Sequence, residues 1–231
     1  MIKLSIIIPV YNEEKTIKEI IKKIHSSKKN QNEYEILIID DCSTDKTSAI
    51  LKECSNLYSR LISNKKNMGK GYGVKEGMRM ASGDYIIFQD ADLEYDPIEF
   101  NNFINIINQF NPDLILGSRF KFKDYSRSHN FCNFIGNKII TTIFNILNNT
   151  TFSDIYTCYV CFKNNLLDAN NLKTNGFEQQ AELLGKIIKK SKKNYEIPIN
   201  YNGRTFEEGK KIKWYHFFSV IYQIIKVKFI N

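Results

Sequence analysis

Short apolar runs alternate along the chain with longer stretches whose apolar positions recur every three or four residues, the pattern of βαβ units around a mostly parallel sheet. Leu4-Ser5-Ile6-Ile7-Ile8 reads as a buried strand, and Glu13 to His25 puts Ile17, Ile20, Ile21 and Ile24 on one helical face. Glu35 to Ile39 is a second strand, ending at Asp40-Asp41, after which Ser43-Thr44-Asp45 caps a helix to about Cys54. Leu61-Ile62 is a short third strand; Asn67 to Gly71 leads into a helix to about Ala81, and Tyr85 to Phe88 is a fourth strand. Pro97 opens a helix to about Phe110, and Leu114 to Gly117 is a further strand. Lys121 to Asn130 is a polar loop, Ile135 to Leu147 and Phe177 to Lys190 are helices, and Tyr195 to Ile199 is the last strand. Trp214 to Phe229 is an apolar, aromatic helix flanked by lysines. It either lies in a membrane interface or packs on the domain.

A chain of 231 residues, 42% hydrophobic and 13% aromatic, is long enough to bury the core of one large α/β domain, expected over 1–213 with the C-terminal helix at 214–231. No apolar run reaches the ~18 to 20 residues of a spanning helix, and the first residues run into a strand without a signal-peptide pattern, which predicts a cytoplasmic protein. Five scattered cysteines fit reduced thiols, and the lone Cys158-x-x-Cys161 has no second pair, so core packing is its simpler reading. The net charge of +8 suits phosphorylated substrates, nucleic acid or an anionic membrane and does not choose among them. No nucleic-acid-binding motif accompanies it.

The acidic residues recur at the carboxyl ends of the predicted strands, where open α/β sheets bind ligands. Asp90-Ala91-Asp92 follows directly on the fourth strand, and two carboxylates so close repel unless a cation lies between them. Mg2+ or Mn2+ takes oxygen ligands, commonly one or two carboxylates plus substrate phosphates, which makes Asp92 with Glu94 a candidate metal pair completed by a diphosphate. By itself the motif reads more simply as a solvated acidic loop.

Its company changes that. Pro9-Val10-Tyr11-Asn12-Glu13, Asp40-Asp41-Cys42-Ser43-Thr44-Asp45, Asn67-Met68-Gly69-Lys70-Gly71, Gly83-Asp84-Tyr85 and Asp90-Ala91-Asp92, in that order, resemble the inverting family 2 glycosyltransferases over roughly the first 120 residues. The resemblance implies a Rossmann-like, nucleotide-sugar-binding fold of GT-A type without transmembrane helices. It implies a donor-binding set of Pro9, Tyr11, Glu13, Asp41, Lys70 and Asp90, with Tyr11, Glu13 and Asp41 against base and ribose and Lys70 and Asp90 beside the nucleoside. Asp92 would hold the metal. Asp40 and Asp45 read equally as turn and helix caps, and Gly69 and Gly71 as backbone geometry.

Gly117-Ser118-Arg119-Phe120, Asn137-Lys138, Ser153 to Tyr159, Gly176-Phe177-Glu178, Ile197-Pro198-Ile199, Arg204 and Glu208 to Trp214 resemble the dolichol-phosphate mannose synthase branch, whose members glycosylate a polyprenyl phosphate. The resemblance implies a GDP-mannose or UDP-sugar donor, a dolichyl or undecaprenyl phosphate acceptor, and a peripheral position on the cytoplasmic membrane face. A phosphate monoester, with a second pKa near ~6, is already a charged nucleophile at neutral pH and needs no general base. Arginine forks suit positioning it: Arg119 and Arg127 are candidates for the lipid phosphate and Arg204 for the donor diphosphate, with Asp154 in the catalytic pocket. Arg127 reads equally as a solvated loop residue, Asp154 as a structural acceptor, and Glu178 as an acceptor-site residue or a helix-start carboxylate. Two departures stand out: Val160 where relatives carry Lys, and His216-Phe217 where they carry Asp-Gly. Competing readings are transfer to a sugar hydroxyl, which needs a base, and a non-catalytic nucleotide-binding partner protein.

Overall fold

The computed structural model describes residues 1–28, 32–121, 124, 127, 130–204 and 216–230. Strands β1 (Lys3–Val10), β2 (Glu33–Asp40), β3 (Arg60–Ser63), β4 (Tyr85–Phe88), β5 (Leu114–Ser118), β6 (Val160–Lys163) and β7 (Asn194–Pro198) form one sheet in the order β3-β2-β1-β4-β6-β5-β7. Six of the seven run parallel, and β6 lies antiparallel between β4 and β5. The expected α/β fold with a mostly parallel sheet and flanking helices is the fold observed. Among the described residues no helix is long and apolar enough to cross a membrane.

The central strands are apolar without alternation because helices cover both faces of a parallel sheet. Leu4, Ile6, Ile7 and Ile8 of β1 and Ile36 to Ile39 of β2 are buried, in register with Ile7 beside Leu37. Helix α1 (Ile17–Ser27) buries Ile17, Ile20, Ile21 and Ile24, the predicted face. Helix α2 (Thr47–Glu53) follows a turn in which Asp45 Oδ1 accepts the Thr47 N–H at 2.9 Å; Lys46 is the N-cap, and Asp45 closes the turn one residue ahead of it. Helix α3 (Lys70–Met80) lies close on the sheet because Gly73 and Gly77, one turn apart, face it: a Cβ on Gly77 would meet Ile7 Cγ2 at 2.4 Å.

Pro97 opens a 3-10 turn, Pro97–Glu99, from which α4 (Phe100–Phe110) continues. Helix α5 (Phe131–Asn148) starts four residues before the expected Ile135, because Asn130 Oδ1 accepts the N–H groups of Cys132 and Asn133 as its N-cap. Helices α6 (Gln179–Ile188) and α7 (His216–Phe229) complete the chain, and α7 packs on both α5 and α6 with Val220, Ile224 and Val227 buried.

Strand β6 was absent from the sequence expectation. Its four residues show no alternation, and only the gap between β4 and β5 gives them partners on both sides. Since β6 runs against its neighbours, its entry, Thr157-Cys158-Tyr159, stands at the same sheet end as the exits of β1, β2, β4, β5 and β7.

Candidate active site

Strands β1 and β2 leave the sheet through residues in the left-handed region, Asn12 (φ 53°) and Cys42 (φ 63°). The two exits are tied together. Asn12 Oδ1 accepts the Thr44 N–H at 2.8 Å, and Thr47 Oγ1 accepts the Glu13 N–H at 2.9 Å. Pro9 and Tyr11 lie half-buried on this wall, with Pro9 under α3 where a Cβ on Gly73 would meet it at 3.2 Å. Asp40 Oδ1 accepts the Ser43 N–H at 3.0 Å, a turn contact.

Asp41 turns inward. Its carboxylate accepts from Asn64 Nδ2 at 2.8 Å and from the N–H groups of Met68 and Gly69 at 2.9 and 2.8 Å. Asp41 thus fixes the loop that opens α3. At Gly69 (φ +92°) a Cβ would also strike the Asn175 carbonyl oxygen at 2.7 Å, so glycine is required there. Lys70, the first residue of α3, pairs with Asp90 beyond β4.

The main electrostatic feature is a knot around Arg204. Its guanidinium meets Asp92 Oδ2 at 2.6 Å, Glu94 Oε1 at 3.2 Å and Glu13 Oε2 at 3.3 Å, joining the exits of β1 and β4 to the segment after β7. The Arg204 N–H also donates to Glu94 at 2.9 Å. Burial, with Asp90 and Glu94 nearby, pushes the Asp92 carboxyl up to about 7 although Arg204 pulls it down. Three carboxylates against one guanidinium leave an excess of negative charge. Among the described residues no group of three ligating side chains forms a ready-made metal cage.

Arg119 and Asp154 are brought together, not onto a free pocket wall. Arg119 Nε donates to Asp154 Oδ2 at 2.7 Å and Nη2 to Oδ1 at 2.9 Å, a bidentate pair, and Nη2 also reaches the Tyr156 carbonyl at 2.8 Å. Asp154 is fully buried. Burial opposes the Arg119 charge, yet Asp154, with Tyr95 and Tyr201, raises its pKa well above the usual value. Arg127 is exposed, its Nη1 donating to the Gly203 carbonyl at 3.0 Å beside Arg204. Glu178 Oε1 accepts the Gly176 N–H at 3.2 Å at the start of α6. The Glu208 to Trp214 motif lies outside the described residues.

Several residues escaped the sequence reading. Tyr201 joins the two charged groups: its hydroxyl donates to Glu94 Oε2 at 2.7 Å, and its ring lies 5.3 Å from the Arg119 guanidinium. Glu196 of β7 accepts the N–H groups of Ser153 and Asp154 at 2.8 and 3.1 Å, holding the turn that presents Asp154. Gln180 of α6 donates to the carbonyls of Ile155 and Thr157 at 2.9 and 2.6 Å, clamping the same loop. No local pattern marks these residues; the signal available was the place of Glu196 within a predicted strand and of Tyr201 just beyond its end.

Known proteins share sequence with part of this chain and the fold with nearly all of it. A Pyrococcus furiosus protein named dolichol-phosphate mannosyltransferase is 35% identical over 119 residues, covering 51% of this chain and 33% of that protein. A Proteus mirabilis protein named undecaprenyl-phosphate 4-deoxy-4-formamido-L-arabinose transferase is 36% identical over 102 residues, covering 42% of this chain and 31% of that protein. The matches span about a third of the length of either relative. The fold is shared with glucosyl-3-phosphoglycerate synthase from Mycobacterium tuberculosis, solved with Mn2+, UDP and phosphoglyceric acid, at a TM-score of 0.70, 15% identity, and coverage of 98% of this chain and 77% of that one. The pattern defining glycosyl transferase family 2 matches residues 5–168, which takes in β1 through β6 and the acidic exits of β1, β2 and β4. The chain therefore belongs to glycosyl transferase family 2.

Proposed function

We propose that the protein transfers a hexose, with inversion, from a nucleotide sugar to the phosphate of a polyprenyl lipid, in a metal-dependent reaction. The convergence of Glu13, Asp92 and Glu94 on Arg204 carries the donor half of this reading. Such an excess of carboxylate suits a hard divalent cation, Mg2+ or Mn2+, held by Asp92 and Glu94 with the remaining positions left to diphosphate and water. The bound ion would supply Lewis-acid stabilisation of the charge on the departing diphosphate. Arg204 then serves the diphosphate, and the Lys70–Asp90 pair stands beside the nucleoside. Pro9, Tyr11 and Glu13 line the base and ribose side, while Asp41 acts through the 64–69 loop that it holds.

The acceptor half is supported by the names of the two relatives, one on dolichol phosphate and one on undecaprenyl phosphate. A phosphate nucleophile needs positioning and no base. Arg127, exposed beside Gly203, is the arginine assigned here to that phosphate, and the Arg119–Asp154 pair sets the wall on which Tyr201 stands. The catalytic unit is assigned to 1–213, with the remaining segment, which contains α7 (His216–Phe229), at the cytoplasmic membrane face. Incubation with labelled GDP-mannose or UDP-hexoses, Mn2+ and dolichyl or undecaprenyl phosphate tests the reading. Labelled lipid from at least one donor is expected, and its absence with every donor sinks it.

A further inference from the structure

Gln89, between the end of β4 and Asp90, is fully buried, a polar side chain that nothing in the proposed chemistry uses. Its N–H donates to the Ile7 carbonyl at 3.0 Å, which continues the pairing of β4 with β1 and fixes where the side chain starts. The side-chain amide then reaches along the acidic loop. Nε2 donates to the Asp90 carbonyl at 3.0 Å and to the Tyr95 carbonyl at 3.4 Å, while Oε1 accepts the Tyr159 hydroxyl at 2.8 Å. A carbonyl oxygen can only accept, so just one of the two orientations of this amide satisfies all three contacts. Tyr159, itself fully buried against the rings of Tyr95, Phe100 and Phe103, holds the oxygen end in place from the entry of β6.

The two carbonyls belong to the two ends of the loop that carries Asp92 and Glu94. Its far end is held from other sides as well. The Cys158 N–H donates to the Tyr95 hydroxyl at 3.2 Å, the Tyr95 ring lies 5.0 Å from that of Tyr201, and the Asn202 N–H donates to the Glu94 carbonyl at 3.0 Å. Within the loop Asp92 Oδ1 accepts the Glu94 N–H at 3.1 Å. Drawing both ends to one amide fixes the span of the loop, and that span sets how Asp92 and Glu94 stand toward each other and toward Arg204. An apolar side chain of the same length would leave the Tyr159 hydroxyl without its acceptor and both carbonyls without this donor. A carboxylate would set oxygen against oxygen. We infer that Gln89 is a positioning residue for the donor site: its amide closes the 90–95 loop into the geometry that presents Asp92 and Glu94, and Tyr159 orients the amide. The inference rests on the donor half of the reading above and adds to it two buried residues that act through the loop.

Hydrogen exchange of the 90–95 amides in the full chain, free of ligand, reads the closure itself. In Gln89→Met, which keeps the length of the side chain and loses its hydrogen bonds, exchange there should rise at least about tenfold. Calorimetric titration with GDP and with UDP in the presence of Mn2+ reads the consequence. Kd for whichever nucleotide the wild type binds should rise about 10- to 100-fold, the range found for residues that orient metal ligands. Lost stability alone would do neither. Ile187→Ala opens a cavity at a fully buried position in the last turn of α6, so it lowers the melting temperature and should leave loop exchange and nucleotide affinity at their wild-type values. Tyr159→Phe keeps the ring and deletes only the hydroxyl; it should show smaller rises of the same sign, and it decides the matter if Gln89→Met does not fold. Unchanged loop exchange in the folded variants overturns the closure, and faster exchange with an unchanged Kd overturns the positioning role. A wild type that binds neither nucleotide with Mn2+ would sink the donor reading instead, and loop exchange would still decide whether the amide holds the loop.

Discussion

On the proposed metal-dependent reading, Arg204 stands between Asp92 and Glu94, the two carboxylates that would hold the cation. Its Nη2 lies 2.6 Å from Asp92 Oδ2, and its Nε lies 3.2 Å from Glu94 Oε1, so a single guanidinium is shared between the two carboxylates offered to a metal. A metal reaching Asp92 has to displace this ion pair. Opposite unit charges whose centres lie about 4 Å apart attract by about 1 kcal/mol at the dielectric of water and about 4 kcal/mol at an effective dielectric of 20. The Arg204 side chain is 22% exposed, which places it between those limits. About 2 kcal/mol corresponds to roughly thirtyfold in Kd. Arg204→Gln should therefore bind Mn2+ roughly thirtyfold more tightly than the wild type when no nucleotide is present. The same variant should bind UDP or GDP with Mn2+ more weakly, because the diphosphate loses its guanidinium. Titration of free Mn2+ by electron paramagnetic resonance, with and without nucleotide, reads both effects. Equal Mn2+ affinity in the two proteins would refute the competition, and no Mn2+ binding by either would remove the metal from the site.

Asp154→Asn should cost about 3 kcal/mol in urea unfolding, since it leaves Arg119 buried without its counter-charge. Tyr201→Phe keeps the ring beside Arg119 and deletes the hydroxyl on Glu94; a loss of about 1 kcal/mol in stability and a larger loss of turnover are expected. Gly77→Ala forces a methyl within 2.4 Å of Ile7 Cγ2 and should lower stability by about 1 to 3 kcal/mol; a neutral result would show that α3 can lift from the sheet. Burial pushes the Glu35 carboxyl up, but the Ser5 hydroxyl and the Ser82 N–H and hydroxyl outweigh it and hold it below its usual 4.5. Its folded pKa is depressed, so its contribution is complete above about 4.5 and is lost as pH falls through the lower folded value. Glu35→Gln should flatten that part of the acid-unfolding curve.

Local pattern was enough for most of the architecture. The unbroken apolar runs of β1, β2, β4 and β5 and the four-isoleucine face of α1 follow from periodicity, which a chain displays before it folds. The acidic exits of β1, β2 and β4 were legible for the same reason, as polar residues at the ends of apolar runs. Strand β6 was not, because four residues without alternation become a strand only when two neighbours leave room. Pairing lay further out of reach. Arg204 meets Glu13 across 191 positions and Arg119 meets Asp154 across 35, and nothing local records which cation will find which carboxylate. Sequence alone could name Arg119 and Asp154 as chemistry but not show that they neutralise each other, nor that Asp41 spends its oxygens on the loop before α3. The amphipathic pattern of α5 and α7 likewise revealed apolar residues without saying which of them would remain uncovered. That is settled only when the inward face has met its neighbours. Residue type and period therefore determined the elements and the kind of chemistry at the sheet's edge. Tertiary packing decided which charges are spent within the chain and which surfaces remain for a ligand.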